Sequence, residues 1–494
     1  MSSLFQIPPK LKIILTLLLF FLLWGSIPSF SQEKFRKSPP PPDPLPQLNL
    51  PEIKSAVLSN ELSVSVVQQK GPPIITLQLM VLSGEKSSPP DLPGLASFTT
   101  RMLPRGTAAF SFSEIQERIE SIGGDFSTST HMDYSLINFS FLEQYLDEAL
   151  QLLSRMILHP DFNKQEIANL KRSINYELMD NSTNPKFLSK RLLYHILFQD
   201  HPYQNMAYTK EDINQITQKD ISEFFENHYR PNNAKITLVG NLSLSTATRK
   251  VSHYLNTWRN QDVKKIPPSF PELNKKLKIC FMDVPRVKNP IILVGNLASP
   301  INHPDFFPFT VLNQVLGGTP TSRLFMNLRE SKGYAFYSFS RLELFKSCGV
   351  FSIESKVRPQ VIFDSVQAVL NEVKKVTQEP IPSDEIEQAK SYLIGNFPLA
   401  LDHFRSLSLQ LAKIQAYNLG QYHWEDYYEK IKPIGAEGVF KVVKKYPLSK
   451  PVVIIAGEKE ETFDYLQKFE EIYVYDSKGK LKYVQRKKEK DESY

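Results

Sequence analysis

The sequence predicts an α+β protein that contains two similar domains, each a mainly antiparallel sheet covered by helices. In both halves, apolar strand-like stretches are joined by helical stretches and are then followed by a long helical block. Matching positions also recur at a constant separation, because Tyr229 and Tyr446, and Gly240 and Gly457, are each 217 positions apart. A repeated order of elements at a constant shift indicates that one fold occurs twice along the chain.

Composition shifts divide the chain into six predicted segments. These are a signal peptide at 1–31, a proline-rich linker at 32–51, an N-terminal domain at 52–258, an inter-domain linker at 259–274, a C-terminal domain at 275–475 and a solvated basic tail at 476–494. The hydrophobic content of 41% is ordinary for a globular protein, so we expect a sizeable core. The net charge of +7 is uneven, but no base-stacking aromatic pattern accompanies the basic tail, so no nucleic-acid binding is expected.

The N-terminus has the pattern of a secretory signal. Lys10 and Lys12 precede the mostly apolar stretch 13–24, and Ser29-Phe30-Ser31 has the small-x-small form of a cleavage site. The apolar stretch is too short to span about 30 Å of hydrocarbon at about 1.5 Å per residue. We therefore expect export, with the periplasm as the compartment, and association with the membrane if the signal stays uncleaved.

Each element of the N-terminal domain is predicted from its periodicity and from the residues that end it. The helix at 111–122 begins with a capping box, because Ser111 and Glu114 are three residues apart, and it ends at Gly123-Gly124. The other predicted elements are strands at 62–66, 74–82, 125–130, 134–141 and 234–239, a helix within 93–107, four helical stretches between 143 and 228, and a helix at 243–258.

The C-terminal domain repeats this order. Its predicted elements are strands at 277–282, 291–297, 334–344, 350–356 and 452–455, helices at 305–316 and 321–331, and long helices that continue through 440–445. The chain has two cysteines, Cys280 and Cys348. A disulfide is permitted in an oxidising compartment, and two free buried thiols are equally compatible with the sequence, so both states remain open.

The helix within 93–107 places three polar side chains on one patch of its surface. Leu95, Phe98 and Met102 recur at three- and four-residue steps and form the apolar face. Ser97, Thr100 and Arg101 stand at positions i, i+3 and i+4, so they share another patch. These three side chains are the first candidate site residues.

The residues around this patch resemble the metal-binding helix of the M16 (insulinase/pitrilysin, mitochondrial-processing-peptidase-like) metallopeptidases. The framing residues that match are Gly94, Leu95, Ala96, Phe98, Met102, Leu103, Gly106 and Thr107. Active members of that family carry the inverted zinc motif H-x-x-E-H on this helix. The two histidine positions hold Ser97 and Arg101 here, and the catalytic glutamate position holds Thr100. The resemblance therefore implies the family's scaffold without its catalytic residues.

A third zinc ligand in the family is a glutamate on a later helix, and Glu177 within Ile174–Leu178 matches it. A further acidic position of the family holds Leu170. One carboxylate cannot hold zinc, and the guanidinium of Arg101 has no lone pair to offer. We expect no metal and no cofactor in this chain. Arg101 is either an ordinary surface arginine or forms a bidentate pair with Glu177 where the metal would be.

A second resemblance lies in the C-terminal domain, where Gly317-Gly318, Ser322–Phe325 and Leu328–Glu330 match a conserved block of the family. In that block an arginine and a tyrosine seven residues later grip the substrate backbone, and in two-subunit members this pair lies on the chain that lacks the metal. Arg329 matches the arginine, and a cation at a helix C-terminus is the alternative explanation for it. The tyrosine position holds Phe336, and Tyr337 replaces it only if a β-bulge shifts the register.

The resemblance implies a non-catalytic M16-like subunit that binds peptide and completes the chamber of an active zinc peptidase. The expected partners are a chain with an intact H-x-x-E-H motif, which would supply the zinc, and a peptide or unfolded protein substrate. Two alternatives stay open at this point. One is a stand-alone peptide-binding or chaperone-like pseudoenzyme, and the other is an active zinc metalloendopeptidase with an unrecognised site.

Overall fold

The computed structural model describes residues 52–487, apart from 402–403, 421–422 and 447. The predicted signal peptide and proline-rich linker, and residues 488–494 of the predicted basic tail, lie outside the described residues. Within the part that is described, no helix combines the length and the apolar character needed to cross a bilayer.

The described strands form two mixed sheets, one in each half of the chain. The strands of the first sheet are β1 (Ile53–Val57), β2 (Ser63–Gln68), β3 (Ile74–Val81), β4 (Asp125–Thr130), β5 (Ser135–Leu142) and β6 (Ala234–Gly240). The strands of the second are β7 (Lys278–Asp283), β8 (Ile291–Ala298), β9 (Ala335–Leu344), β10 (Gly349–Val357), β11 (Val452–Gly457), β12 (Glu471–Tyr475) and β13 (Leu481–Arg486).

Helices follow the strands in both halves. Those of the first half are α1 (Leu95–Met102), α2 (Phe112–Ser121), α3 (Leu146–Leu158), α4 (Lys164–Asp180), α5 (Pro185–Phe198), α6 (Lys210–Gln215), α7 (Gln218–His228) and α8 (Leu244–Leu255). Those of the second half are α9 (Phe306–Gly317), α10 (Arg323–Phe325), α11 (Ile362–Gln378), α12 (Ser383–Asn396), α13 (Phe404–Tyr417), α14 (His423–Ile431), α15 (Ala436–Lys445) and α16 (Lys459–Thr462).

The two sheets share a topology over five consecutive strands. The first has the order β1-β2-β6-β3-β5-β4, and the second has the order β13-β12-β7-β11-β8-β10-β9. In each sheet a parallel pair, β2 with β6 and β7 with β11, is followed by three antiparallel pairings in equivalent positions. The sheets differ on the other side of that pair, where β1 runs antiparallel to β2 but β12 runs parallel to β7. The predicted α+β class, with two similar and mainly antiparallel sheets, is confirmed.

Each sheet is also covered by a helix from the other half of the chain. Helix α5 packs against β8 and β11 of the second sheet, and helix α13 packs against β3 and β6 of the first. The two helices begin at Pro185 and Phe404 and have equal lengths. They therefore occupy equivalent places in the two copies of the fold. A sheet covered on both faces needs apolar residues on both, and every residue of β8 and of β11 is accordingly buried.

The contacts of these reciprocal helices combine apolar packing with hydrogen bonds. Leu193 of α5 lies against Gly295 of β8, where a Cβ atom would be 2.5 Å from Leu193 Cδ2. On the other sheet, the hydroxyl of Thr237 donates to the side-chain oxygen of Gln415, on α13, at 3.0 Å. Lys235 Nζ donates to the backbone carbonyl of the same glutamine at 2.8 Å. The two halves are therefore joined through both of their sheets.

A buried polar network adds a third connection between the halves. Asp133 accepts hydrogen bonds from Lys86 Nζ at 2.8 Å, from the hydroxyl of Tyr203 at 2.9 Å and from the backbone N–H of Lys346 at 2.9 Å. The hydroxyl of Tyr203 in turn accepts from the N–H of Ser347 at 2.9 Å. Because Lys346 and Ser347 form the turn between β9 and β10, this carboxylate holds a loop of the second half against the first.

Several predicted elements need correction. Strand β13 occupies residues that the sequence analysis assigned to a solvated tail, because its side chains are almost all exposed and it pairs only with β12, across a short turn. Strands β1 and β12 were also missed. The fourth predicted helical stretch divides into α6 and α7, because Thr217 begins a new capping box with Asp220. The predicted helix at 321–331 is α10 followed by a π-helical turn, Met326–Ser331.

Both cysteines are free and buried. Cys280 lies in the middle of β7 and Cys348 in the turn that precedes β10. Burial raises the pKa of the Cys280 thiol to about 12. The question that the sequence left open is answered in favour of two separate buried thiols.

Candidate functional site

The candidate site is built on helix α1, whose position follows from its apolar face. Leu95, Phe98 and Met102 are buried in the core of the first half, as their spacing predicts. Gly94 precedes the helix with a φ of 88°, and a Cβ atom there would lie 2.9 Å from the ring of Tyr208. Glycine is therefore required for the backbone conformation and for the close approach of Tyr208.

Arg101 and Glu177 form the bidentate pair that was one of the two hypotheses for Arg101. Arg101 Nη1 donates to Glu177 Oε2 at 2.9 Å, and Nη2 donates to Oε1 at 2.6 Å. Ser173, one turn earlier on α4, donates to Glu177 Oε1 at 3.3 Å. The hydrogen bonds from Arg101 lower the pKa of Glu177 below its ordinary value, against the effect of partial burial. The surviving carboxylate is thus neutralised by the arginine that stands at a histidine position.

Thr100, at the position that matches the catalytic glutamate, is buried, and its hydroxyl takes part in three hydrogen bonds. Its Oγ1 donates to the carbonyl of Ala96 at 2.8 Å, and it lies 2.8 Å from the hydroxyl of Tyr229. Thr130, at the end of β4, donates to the same Oγ1 at 3.1 Å. A hydroxyl in such a network has no free lone pair or low pKa with which to take a proton from water. Leu170, at the further acidic position, is fully buried in the core.

The sequence analysis missed Glu85, which lies at the N-terminal end of α1. Glu85 accepts hydrogen bonds from the N–H of Ser97 at 3.0 Å and from the hydroxyl of Ser88 at 3.1 Å. Burial raises the pKa of Glu85 to about 7, and these hydrogen bonds act in the opposite direction. A single glutamate in a polar loop carries no periodic signal, so the sequence offered no means of assigning it to this helix.

These residues do not fit a catalytic zinc ion. A zinc site needs three ligands with lone pairs, whereas Ser97 and Arg101 flank a carboxylate that is already paired with Arg101. Elsewhere in the described part of the chain, no group of three His, Cys, Asp or Glu side chains is arranged to hold a metal ion. These side chains therefore support no catalytic step that needs a metal ion.

Arg329 lies in the π-helical turn and is half exposed. Its guanidinium lies 4.9 Å from the centre of the Phe325 ring, and its Nε is 3.5 Å from a carboxylate oxygen of Glu330. Both contacts are local, and neither ties Arg329 to the Arg101–Glu177 pair. Its predicted role in gripping substrate remains a prediction.

The β-bulge that the sequence analysis required is present in β9. Lys356 of β10 pairs with Tyr337 and Val357 pairs with Ala335, so Phe336 is the extra residue. Phe336 is 49% exposed. The hydroxyl of Tyr337 donates to Glu354 Oε1 at 2.8 Å, and that carboxylate also pairs with Lys186 of α5 at 2.9 Å. Tyr337 thus lies on the side of the second sheet that faces α5.

Comparisons with known proteins agree with this architecture. A family model described as Insulinase (Peptidase family M16) matches residues 64–210, and one described as Peptidase M16 inactive domain matches residues 215–393. Together they cover about two thirds of the chain. A structure described as the peptidase M16 inactive domain from Pseudomonas fluorescens superposes with a TM-score of 0.75 at 23% identity, over 82% of this chain and 98% of that one.

Two curated bacterial relatives carry different descriptions. The "Uncharacterized zinc protease YmxG" of Bacillus subtilis is 23% identical over 352 residues, which cover 69% of this chain and 83% of the relative. The "Non-peptidase homolog YmxG" of Helicobacter pylori is 26% identical over 353 residues, which cover 69% and 79%. Similar chains are thus described both as a protease and as a non-peptidase. Whether this chain is catalytic has to be judged from the side chains at the site.

Proposed function

This chain belongs to peptidase family M16, and we propose that it is a non-catalytic subunit that binds peptide and completes the chamber of an active zinc peptidase partner. The observation that carries the proposal is the Arg101–Glu177 pair. In this pair the guanidinium binds the carboxylate of Glu177, and the resemblance implies that an M16 enzyme would hold its metal there, with its general base at the position of Thr100. A partner with an intact H-x-x-E-H motif would supply both the zinc and the base.

Peptide binding by this chain is supported by a strand edge next to the degenerate site and by two exposed side chains of the second half. Strand β4 is at the edge of the first sheet, so its outer backbone groups are available to a peptide strand. The same strand ends at Thr130, which contacts Thr100 on α1. Arg329 and Phe336, both about half exposed, would add side-chain contacts to the peptide.

The location of this subunit is part of the proposal. The predicted signal within residues 1–31 would deliver the chain to the periplasm, where its partner and its unfolded substrates would have to be found. A signal that stays uncleaved would tether the subunit to the membrane and leave the proposed chemistry unchanged.

The test is to mix the purified chain with an M16 chain that carries H-x-x-E-H and to measure peptide cleavage and complex formation. We expect a stable complex and increased cleavage, and we expect Arg329→Ala to reduce the gain while Arg249→Ala, on the exposed side of α8, leaves it unchanged. Peptide binding without any complex would favour the stand-alone pseudoenzyme. Stoichiometric zinc in the purified chain would favour an active metallopeptidase.

A further inference from the structure

A cavity separate from the Arg101–Glu177 pair lies between helices α4, α5 and α6 and the turn that joins β12 to β13. Its volume is about 500 Å³, which is in the range of sites for small ligands. The lining residues that matter here are Arg172, Tyr176, Met179, Leu188, Lys210 and Lys478. We call it the α4–α6 cavity. None of the predicted catalytic, metal or substrate-binding positions lines it.

The floor of the α4–α6 cavity is apolar and partly uncovered. Tyr176 is 67% exposed and Met179 is 65% exposed, although both are large apolar residues on a helix of a folded domain. They share one face of α4 with Arg172, because positions 172, 176 and 179 are separated by steps of four and three. Glu177 belongs to the neighbouring stripe of the same helix. The cavity is therefore adjacent to the degenerate site but opens on a different face of α4.

The rim of the α4–α6 cavity is positively charged. Arg172, Arg191, Lys210 and Lys478 line it, together with one carboxylate, Glu211, which lies 3.5 Å from Lys478. Arg191 donates to the carbonyl of Ser477 at 2.7 Å and also has acidic neighbours. Within the described residues, neither Arg172 nor Lys210 has a carboxylate at ion-pair distance, and Arg172 donates a hydrogen bond to the amide oxygen of Asn169 at 2.5 Å. The positive charges of Arg172 and Lys210, beside the apolar floor, are thus not paired with a carboxylate of the described residues.

The wall formed by residues 477–478 is held in place from both sides. Asp476 accepts hydrogen bonds from the N–H groups of Lys478 at 3.0 Å and of Lys480 at 2.9 Å, which fix the turn. The bond from Arg191 of α5 then attaches this turn to the first half. The cavity is built from elements far apart in the chain, and its shape does not depend on a free tail.

We propose that the α4–α6 cavity binds an acidic peptide segment that carries one large apolar side chain. The apolar side chain would pack on Tyr176, Met179 and Leu188, and the acidic residues beside it would pair with Arg172 and Lys210. Complementary charge at partly desolvated sites gives selectivity between partners, and the burial of an apolar group gives affinity. This proposal rests on the proposed function, because it specifies which peptides the subunit selects.

The experiment measures binding of fluorescein-labelled decapeptides to the full chain by fluorescence anisotropy. Three peptides share a Gly/Ser frame: one with a phenylalanine and three glutamates, one with a phenylalanine and three lysines, and one with three glutamates and no phenylalanine. We expect the first to bind at least tenfold more tightly than the other two. Added salt should weaken its binding, since the interaction pairs exposed charges.

Single substitutions then locate the binding site. Arg172→Glu and Lys210→Glu should each weaken binding of the acidic peptide about tenfold, and Met179→Ser should weaken it several-fold. The matched control is Lys219→Glu, which reverses an exposed lysine of α7 that does not line the cavity. Unchanged circular dichroism and thermal unfolding of each variant would show that the fold is retained.

The outcomes separate this proposal from the proposed function. Equal binding of acidic and basic peptides, with no effect of Arg172→Glu, would overturn the assignment of the cavity and leave peptide binding intact. Failure of all three peptides to bind would also overturn the cavity assignment, whereas failure of the chain to form a complex with an H-x-x-E-H partner would overturn the proposed function. Binding of phosphatidylglycerol vesicles in a Lys210-dependent manner, without binding of acidic peptide, would reassign the cavity to a lipid surface and overturn the peptide proposal.

Discussion

The guanidinium of Arg101 and the carboxylate of Glu177 face each other edge to edge, with nitrogen–oxygen distances of 2.9 and 2.6 Å. The two residues are 76 positions apart in the sequence and lie on α1 and α4. Their side chains are 26% and 52% exposed, so we expect the pair to contribute no more than about 1 kcal/mol to stability. The pair bears on the proposed function, because the resemblance implies that it stands where an M16 enzyme would hold its metal.

Restoring two histidines should restore metal binding. In the double variant Ser97→His/Arg101→His, three ligands would surround the position now taken by the guanidinium, with Glu177 as the third. We expect one zinc ion per chain, measured by elemental analysis after dialysis and by competition with a chelator. The matched control adds Glu177→Gln and should bind zinc at least tenfold more weakly. A folded double variant without zinc would show that these positions no longer converge.

The stability contribution of the Arg101–Glu177 pair should depend on pH. Because the pKa of Glu177 is lowered from 4.5, its contribution is complete above that value and is lost as the pH falls through the lowered pKa. We therefore expect the wild type to exceed Glu177→Gln by up to about 1 kcal/mol at pH 7 and by less at pH 3. Urea denaturation at both pH values measures the difference. A constant difference would contradict the pairing.

Glu85 should produce a pH dependence of the opposite sign. Its pKa is about 7 in the folded protein and 4.5 ordinarily, so between these values the folded state binds more protons than the unfolded state. Stability should fall by roughly 3 kcal/mol as the pH rises from 4.5 to 7, and this contribution should not change further at higher pH. Glu85→Gln should remove that decline relative to the wild type. Parallel stability curves for the two proteins would argue against the raised pKa.

Asp133→Asn should destabilise the junction of the two halves. The substitution leaves the mostly buried ammonium of Lys86 without its counter-charge and places an amide N–H₂ group against another hydrogen-bond donor. We expect a loss of about 3 kcal/mol in the free energy of unfolding. Asp262→Asn, at an exposed position of the inter-domain linker, is the control and should have little effect. A small loss in Asp133→Asn, equal to the control, would mean that the network does not hold the turn.

Gly295→Ala should disturb the packing of helix α5 on the second sheet. The added methyl group would lie 2.5 Å from Leu193 Cδ2 in a buried interface, so we expect a loss of about 1–3 kcal/mol. Leu193→Ala in the same chain removes the clash, and the double variant should be less destabilised than the sum of the two single variants. Additive losses, measured by thermal or urea unfolding, would show that α5 and β8 are not in contact.

The elements that the sequence analysis predicted correctly have local causes. Periodicity and a capping box determine α1 and α2, and alternation or apolar runs determine the central strands. The elements that it missed depend on pairing with other strands. Strand β13 forms because β12 is beside it, and the bulge at Phe336 is visible only in the pairing of β9 with β10. Edge strands and bulges leave weak local signals because only part of their surface is buried.

The amino-acid sequence by itself determined that the chain contains the same fold twice, and its resemblance to M16 enzymes predicts that Ser97, Thr100 and Arg101 stand where those enzymes carry H-x-x-E-H. Only the tertiary structure decided that Arg101 is paired with Glu177, that Glu85 caps the same helix with a raised pKa, and that each sheet is covered by a helix from the other half. The reason is physical. Ligand chemistry belongs to a single side chain, whereas ion pairs, burial and packing depend on partners that folding brings together from distant parts of the chain.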